Sequence, residues 1–193
     1  MRPQRAFTIV ELLVTIALVA ITLALVAPSF QNLILVSRLK GINQQLVTDL
    51  QLARTEAVGR NTLLRLAFFD NSGMTCYTLY TVPPTSSARC DCRLGVGAAC
   101  STAGAGATEV RTVQVERSLS VQVVPAEGID PAFAYDPVTG GIKSIPSDDF
   151  IGPLAAFTIF TKLDDSRWLR TTVAPTGRPS VCGSVASLGA PAC

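Results

Sequence analysis

Six cysteines, fourteen carboxylates and no histidine limit the chemistry this chain can perform. Without an imidazole the commonest general base is missing, and neither a Ser-His nor a Cys-His arrangement can be built. Asp148-Asp149 and Asp164-Asp165 are adjacent pairs whose side chains diverge on an extended backbone or sit in turns, and neither follows the alternating pattern of a calcium loop. Cys90-Asp91-Cys92 has the wrong spacing for a zinc knuckle, and no histidine can complete a mixed site. The sequence therefore predicts a non-enzymatic protein with no metal and no cofactor. Its cysteines, Cys76, Cys90, Cys92, Cys100, Cys182 and Cys193, are expected as disulfides in an oxidising compartment. Proximity joins Cys182 to Cys193 across a tail with no other ordering element. The remaining four are left to pair among themselves, in an order that spacing does not decide.

One carboxylate is out of place. Glu11 lies near the start of an apolar run over residues 7–27, and an acid in the interior of a bilayer costs roughly 2.5–3.5 kcal/mol unless it has a partner or a task. No basic residue lies within a helical turn of it. The nearest cations, Arg2 and Arg5, belong to a polar leader of residues 1–6. A secretory signal would have a shorter apolar core and a small-residue cleavage site, whereas here the run continues to Ala27 and is followed by Pro28. An ordinary uncleaved anchor accounts for the length, since about 20 apolar residues span a bilayer, but not for Glu11. Either way the basic leader stays on the cytoplasmic side and the rest of the chain lies outside.

The series Arg5-Ala6-Phe7-Thr8-Ile9-Val10-Glu11 resembles the type IV prepilin signal. The resemblance implies that a prepilin peptidase cuts between Ala6 and Phe7 and N-methylates Phe7, and that Glu11, fifth in the mature chain, pairs with the N-terminus of a neighbouring subunit. Ala6 stands where the family usually has Gly. Pro28, twenty-second in a chain starting at Phe7, also occupies a position where many pilins carry Pro.

The elements that must position these residues follow from periodicity. Leu39, Ile42, Leu46, Leu50, Ala53 and Ala57 recur at three- and four-residue steps, the mark of an amphipathic helix with one buried face. Asp49, Arg54, Glu56 and Arg60 are read as solvated charges on its other faces. One long helix is expected to about residue 60, kinked at Pro28 and weakened at Gly41. It divides into a transmembrane or filament-core half, 7–28, and an amphipathic half, 29–60. Beyond it, residues 61–193 form one exported domain. Runs at 63–69 and 74–82 joined by Asp70-Asn71-Ser72-Gly73 give a hairpin. Strands follow at 110–115, 119–124 and 132–135, and a last hairpin spans 157–173. Residues 83–106, rich in Pro, Ser, Ala and Gly, form a long loop pinned by disulfides. The fold class is α+β, a long helix packed on an antiparallel β-domain read as a meander.

Gln51-Leu52-Ala53-Arg54-Thr55-Glu56-Ala57, an all-β domain, Thr176-Gly177-Arg178 and a terminal Cys182 together resemble the FimT/GspH group of minor pilins and pseudopilins. That implies a structural and assembly subunit of a type IV pilus, at its priming complex or tip. Its partners would be other major and minor pilins or pseudopilins, and its route would pass from the inner membrane, with the domain in the periplasm, into the filament. A type II secretion pseudopilin would share the same N-terminus. Some members of the group bind DNA in natural transformation through a C-terminal Gly-Arg-x-Arg motif, of which this chain has Gly177 and Arg178 but Ser180 in the last place. From residue 61 onward ten basic residues face eleven acidic ones, so DNA, bound mostly by phosphate neutralisation, would need a local cluster. Arg167, Arg170 and Arg178, with Trp168 for stacking, are the candidates. The competing reading makes them strand-edge charges and Trp168 core.

The leader predicts a mature chain that starts at Phe7. Intact-mass measurement of membrane-extracted protein should give the mass of residues 7–193 plus one methyl group, and an N-terminus at Met1 or Pro28 excludes the processing.

Overall fold

In the computed structural model, residues 8–83, 86, 88–104, 106–145 and 154–193 are described, with backbone alone at 25–29. Among the described residues one α-helix, α1 (Ile9–Arg60), precedes nine strands: β1 (Leu64–Asp70), β2 (Met74–Thr81), β3 (Thr108–Glu116), β4 (Gln122–Pro125), β5 (Ala132–Tyr135), β6 (Ile142–Ser144), β7 (Phe157–Lys162), β8 (Trp168–Val173) and β9 (Pro179–Gly183). α1 starts where the Thr8 hydroxyl accepts from Glu11 N–H at 3.2 Å. It stops because Asn61 turns left-handed, φ 51°, and its N–H with that of Thr62 caps the last carbonyls. The helix continues through Pro28 and Gly41.

Among the described residues the strands pair antiparallel throughout, in two sheets rather than one meander. The first has the order β3-β2-β1-β5-β6 and the second β4-β7-β8-β9. The expected β1–β2 hairpin is present, with Asp70 opposite Thr75 and the Asn71 side chain accepting from Gly73 and Met74. The strands around Glu116-Arg117-Ser118 do not pair with each other. A 3-10 turn at Arg117–Leu119, followed by Ser120 at φ 59°, carries the chain from the edge of the first sheet to the edge of the second. Val123 N–H is then met by the Thr75 hydroxyl at 2.9 Å.

The core lies where the helix meets both sheets. Leu39, Leu46, Leu50, Ala53 and Ala57 have no exposed surface, and burying each leucine contributes roughly 1.5–3 kcal/mol. Phe157 of β7 stacks on Phe68 of β1 and Phe133 of β5, with ring centroids 5.8 and 4.5 Å apart, which joins the two sheets through one aromatic chain.

Two polar residues of α1 are buried among these leucines. Asn43 Oδ1 accepts from the hydroxyls of Thr161 on β7 and Thr171 on β8, at 3.0 and 2.9 Å. Asp49 corrects the expectation of a solvated charge: it is fully buried. Its Oδ2 accepts from Tyr77 of β2 at 2.7 Å, and its Oδ1 lies 3.1 Å from Arg111 Nε of β3 in an ion pair without hydrogen-bond alignment. Burial pushes the Asp49 carboxyl above its ordinary range, against the Tyr77 bond and the Arg111 charge.

Asn43→Ala leaves two buried hydroxyls without an acceptor and should destabilise the full chain by about 1–3 kcal/mol. Urea unfolding in detergent, followed by the fluorescence of the single tryptophan, measures it. Gln44→Ala, at an exposed neighbour, should shift stability by less than about 0.5 kcal/mol.

Candidate functional site

No described residue covers the first third of α1. Ile9 is 80% exposed, Val19 55% and Leu23 63%, apolar residues are exposed on all sides of the helix over 9–23, and Phe30, Leu33 and Ile34 are exposed as well. A contiguous apolar surface of this extent marks a membrane or protein contact. Among the described residues no helix is long and apolar enough to cross a membrane; side chains of the apolar run are described for residues 8–24, and the sequence continues it through 27. The polar atoms in this stretch are accounted for locally. Thr15 donates to Leu12 O at 2.8 Å, and Thr22 donates to Val19 O at 2.9 Å and Leu18 O at 3.1 Å, so neither hydroxyl needs water. The sequence reading did not single out either threonine.

Glu11 remains. It sits in the first turn, where the helix dipole favours an anion, and no described residue forms an ion pair with it. The nearest described cation along the chain is Arg38, about 40 Å away at 1.5 Å per residue. Ala6 and Phe7, together with the leader, lie outside the described residues, as does the side chain of Pro28.

Three disulfides close: Cys76–Cys92, Cys90–Cys100 and Cys182–Cys193. The first two fasten the 83–106 segment across the face of the first sheet away from the helix, where Ala67, Tyr80, Cys90, Ala99, Ala132 and Ala134 form a second small core. Glu109 of β3 clamps this segment by accepting from Gly97 and Ala99 N–H at 2.9 and 3.0 Å. The third disulfide holds the tail against β9: Gly183 N–H donates to Pro191 O at 2.8 Å, and Cys193 N–H donates to Gly183 O at 3.2 Å. The tail thereby covers the end of an otherwise open sheet edge.

The four candidate DNA contacts do not form one patch. Arg167 is tied to Asp164 in the β7–β8 turn, at 2.8 and 2.5 Å, and these bonds hold the Asp164 carboxyl well below the usual range. Trp168 and Arg170 share the outer face of β8. Trp168 packs edge-on against Phe160 at 5.4 Å and lies opposite Lys162, whose Nζ is 5.2 Å from the Phe160 ring. Arg170 lies opposite Phe160 and Cys182, and its Nε is buried with no hydrogen-bond partner. Arg178 precedes Pro179, which pairs with Val173 at the far end of β8, roughly 17 Å from Trp168 at 3.4 Å per residue. Its neighbour is Arg54 of α1, which lines the same clefts. Residue spacing revealed neither Lys162 nor Arg54 as a companion: Arg54 is brought to Arg178 by the distant α1, and Lys162 is set opposite Trp168 by the register of the β7–β8 hairpin.

An apolar helix free at one end and packed at the other on two antiparallel sheets is the architecture of a pilin-type subunit. Residues 1–27 match the prokaryotic N-terminal methylation motif, and residues 43–177 match the model of the type II transport protein GspH family. The chain belongs to the GspH family, a minor pilin or pseudopilin, and its N-terminal motif implies a membrane-anchored one. Among solved structures it is similar to the type IV minor pilin FimU of Pseudomonas aeruginosa, at 11% identity and a TM-score of 0.44 over 78% of this chain and 91% of that one. No curated protein matches the chain.

Peptide mapping without reductant should recover the three pairs above, and any peptide joining Cys182 to a cysteine before residue 101 overturns the arrangement. Cys182→Ser with Cys193→Ser should lower stability by roughly 2–3 kcal/mol, as expected for opening a short loop, and leave the other two disulfides intact.

Proposed function

We propose that this chain is an assembly subunit of a type IV pilus, working near the priming complex or tip together with other pilins. Prepilin peptidase cuts it at Ala6–Phe7 and methylates Phe7, and α1 then passes from the inner membrane into the filament while the domain stays in the periplasm and later on the filament surface. The observation that carries this reading is the uncovered apolar stretch of α1 with a single carboxylate and no described partner for it. A bundle of such helices buries the apolar surface, and Glu11 meets the Phe7 amine of an adjacent subunit. In a medium of low dielectric an unpaired charge is costly, so the pair forms only in the correct axial stagger. Use in a type II secretion pseudopilus would rest on the same physics with different partners.

Glu11→Ala should be exported and processed like the wild type, yet be lost from sheared filaments and fail to restore piliation in a deletion strain. Wild-type levels in the filament fraction would exclude the pairing.

A second reading, weak binding of single-stranded DNA, is favoured by Trp168, Phe160, Lys162 and Arg170 on one open sheet face, since bases stack on aromatic rings while cations meet phosphates. Fluorescence titration of the full chain at low salt should then show sequence-indifferent binding, abolished by Trp168→Ala. Arg170→Gln should flatten the salt slope by about 0.7. Undetectable binding at low salt leaves the assembly role alone.

A further inference from the structure

Arg54 and Arg178 come from distant parts of the chain and are brought together by backbone that tolerates no alternative. Arg54 Nε donates to Gly140 O at 3.0 Å, in the turn between β5 and β6. The turn entering β9 folds onto that same carbonyl. Gly177 is buried at φ 78°, and a Cβ there would collide with Gly140 O, so only glycine allows the approach. Gly177 N–H donates to Ala174 O at 2.8 Å and Ala174 N–H to Arg178 O at 3.0 Å, while Ile142 N–H donates to Pro175 O at 3.1 Å. The exposed Arg178 is thus presented beside the half-buried Arg54.

Two shallow clefts of about 420 and 560 Å³ share both arginines. Gln51 and Thr55 line the first, Thr139 and Thr176 the second. Among the described residues no carboxylate lines either cleft and no acidic side chain forms an ion pair with Arg54 or Arg178. Five arginines of the domain behave differently: Arg89, Arg93, Arg111, Arg117 and Arg167 each hold an aspartate, and Arg170, on the outer face of β8, lies apart from these clefts.

We infer that the Arg54–Arg178 cleft is an oxyanion-binding site whose ligand is a carboxylate supplied by an adjacent protein subunit. Guanidinium forks match a carboxylate through paired N–H donors, and the surrounding hydroxyls and amide add neutral donors. A nucleic-acid phosphate fits less well. Two cations neutralise too few phosphates to hold a strand, and among the described residues no aromatic ring lines the clefts for a base to stack on. Gln51, Arg54 and Thr55 belong to α1, the element that the filament reading sets against neighbouring subunits, so the choice of a protein partner rests on that reading.

The test uses the full chain in detergent with arginine labelled by nitrogen-15. Succinate, inorganic phosphate and a single-stranded oligonucleotide are each titrated while the Nε–H resonances are followed. Succinate should shift Arg54 and Arg178 saturably and leave Arg167 still. Arg178→Gln should weaken the response at Arg54 at least tenfold, Arg178→Lys should weaken it less, and Arg170→Gln should not change it. The site is overturned if succinate shifts neither arginine, or if the response survives Arg178→Gln. The carboxylate assignment is overturned if inorganic phosphate or the oligonucleotide shifts Arg178 at concentrations tenfold below those succinate needs. In cells, Arg178→Glu should reduce recovery of the chain in filaments. Full recovery overturns the subunit partner without touching the filament reading, which Glu11→Ala decides separately.

Discussion

A single helix has to satisfy two environments, and the boundary between them is set by two buried polar contacts. Asn43 ties α1 to β7 and β8, and Asp49 ties it to β2 and β3. Leucine and alanine packing alone lets a helix slide or turn in a groove at modest cost, because dispersion is weakly directional. A hydrogen bond is lost when its partners move by an ångström or two, and a buried carboxylate without Tyr77 and Arg111 would be strongly unfavourable. The axial position of the helix on the domain is therefore specified. With it is specified how much of the apolar N-terminal stretch projects, and where Glu11 stands relative to the domain that a neighbouring subunit must accommodate.

The same helix explains why the two sheets differ on their outer faces. The helix covers the inner face of each sheet, and the aromatic chain from Phe68 through Phe157 to Phe133 closes the space between them. The outer face of the first sheet is sealed by a segment with almost no regular structure, which its two disulfides and the Glu109 clamp hold in place of a larger hydrophobic core. No described element lies over the outer face of the second sheet, where Phe160, Trp168, Lys162 and Arg170 lie half-exposed. Two separate places on this domain are thus left open among the described residues: that outer face, and the cleft between α1 and the glycine turns.

Charge is distributed in keeping with this division. Four of the domain's eight arginines, Arg89, Arg93, Arg117 and Arg167, pin turns to an aspartate between 2 and 47 residues away. The near balance of ten cations and eleven anions from residue 61 onward therefore says little about where positive charge is free. Arg54, Arg170 and Arg178 differ from their neighbours through position in the tertiary structure, and their count in the sequence gives no sign of it.

Local pattern was enough for the helix. The three- and four-residue spacing of Leu39, Leu46, Leu50, Ala53 and Ala57 marks its buried face, the misplaced charge of Glu11 marks its free end, and the Asp70–Gly73 turn marks the first hairpin, because each depends on neighbours close in the chain. Asp49 was not legible, since a charge on an amphipathic helix is ordinarily solvated and its partners Tyr77 and Arg111 arrive from strands 28 and 62 residues on. The division into two sheets was equally hidden: whether strands on either side of a short turn pair or part depends on Ser120 turning left-handed and on Thr75 receiving Val123. The grouping of arginines belongs with these. Spacing drew Arg167, Arg170 and Arg178 together, whereas strand pairing placed Arg178 at the opposite end of β8 and the Gly140–Gly177 contact set it beside Arg54, because which cations meet is decided by how the backbone folds and not by how near they lie along it.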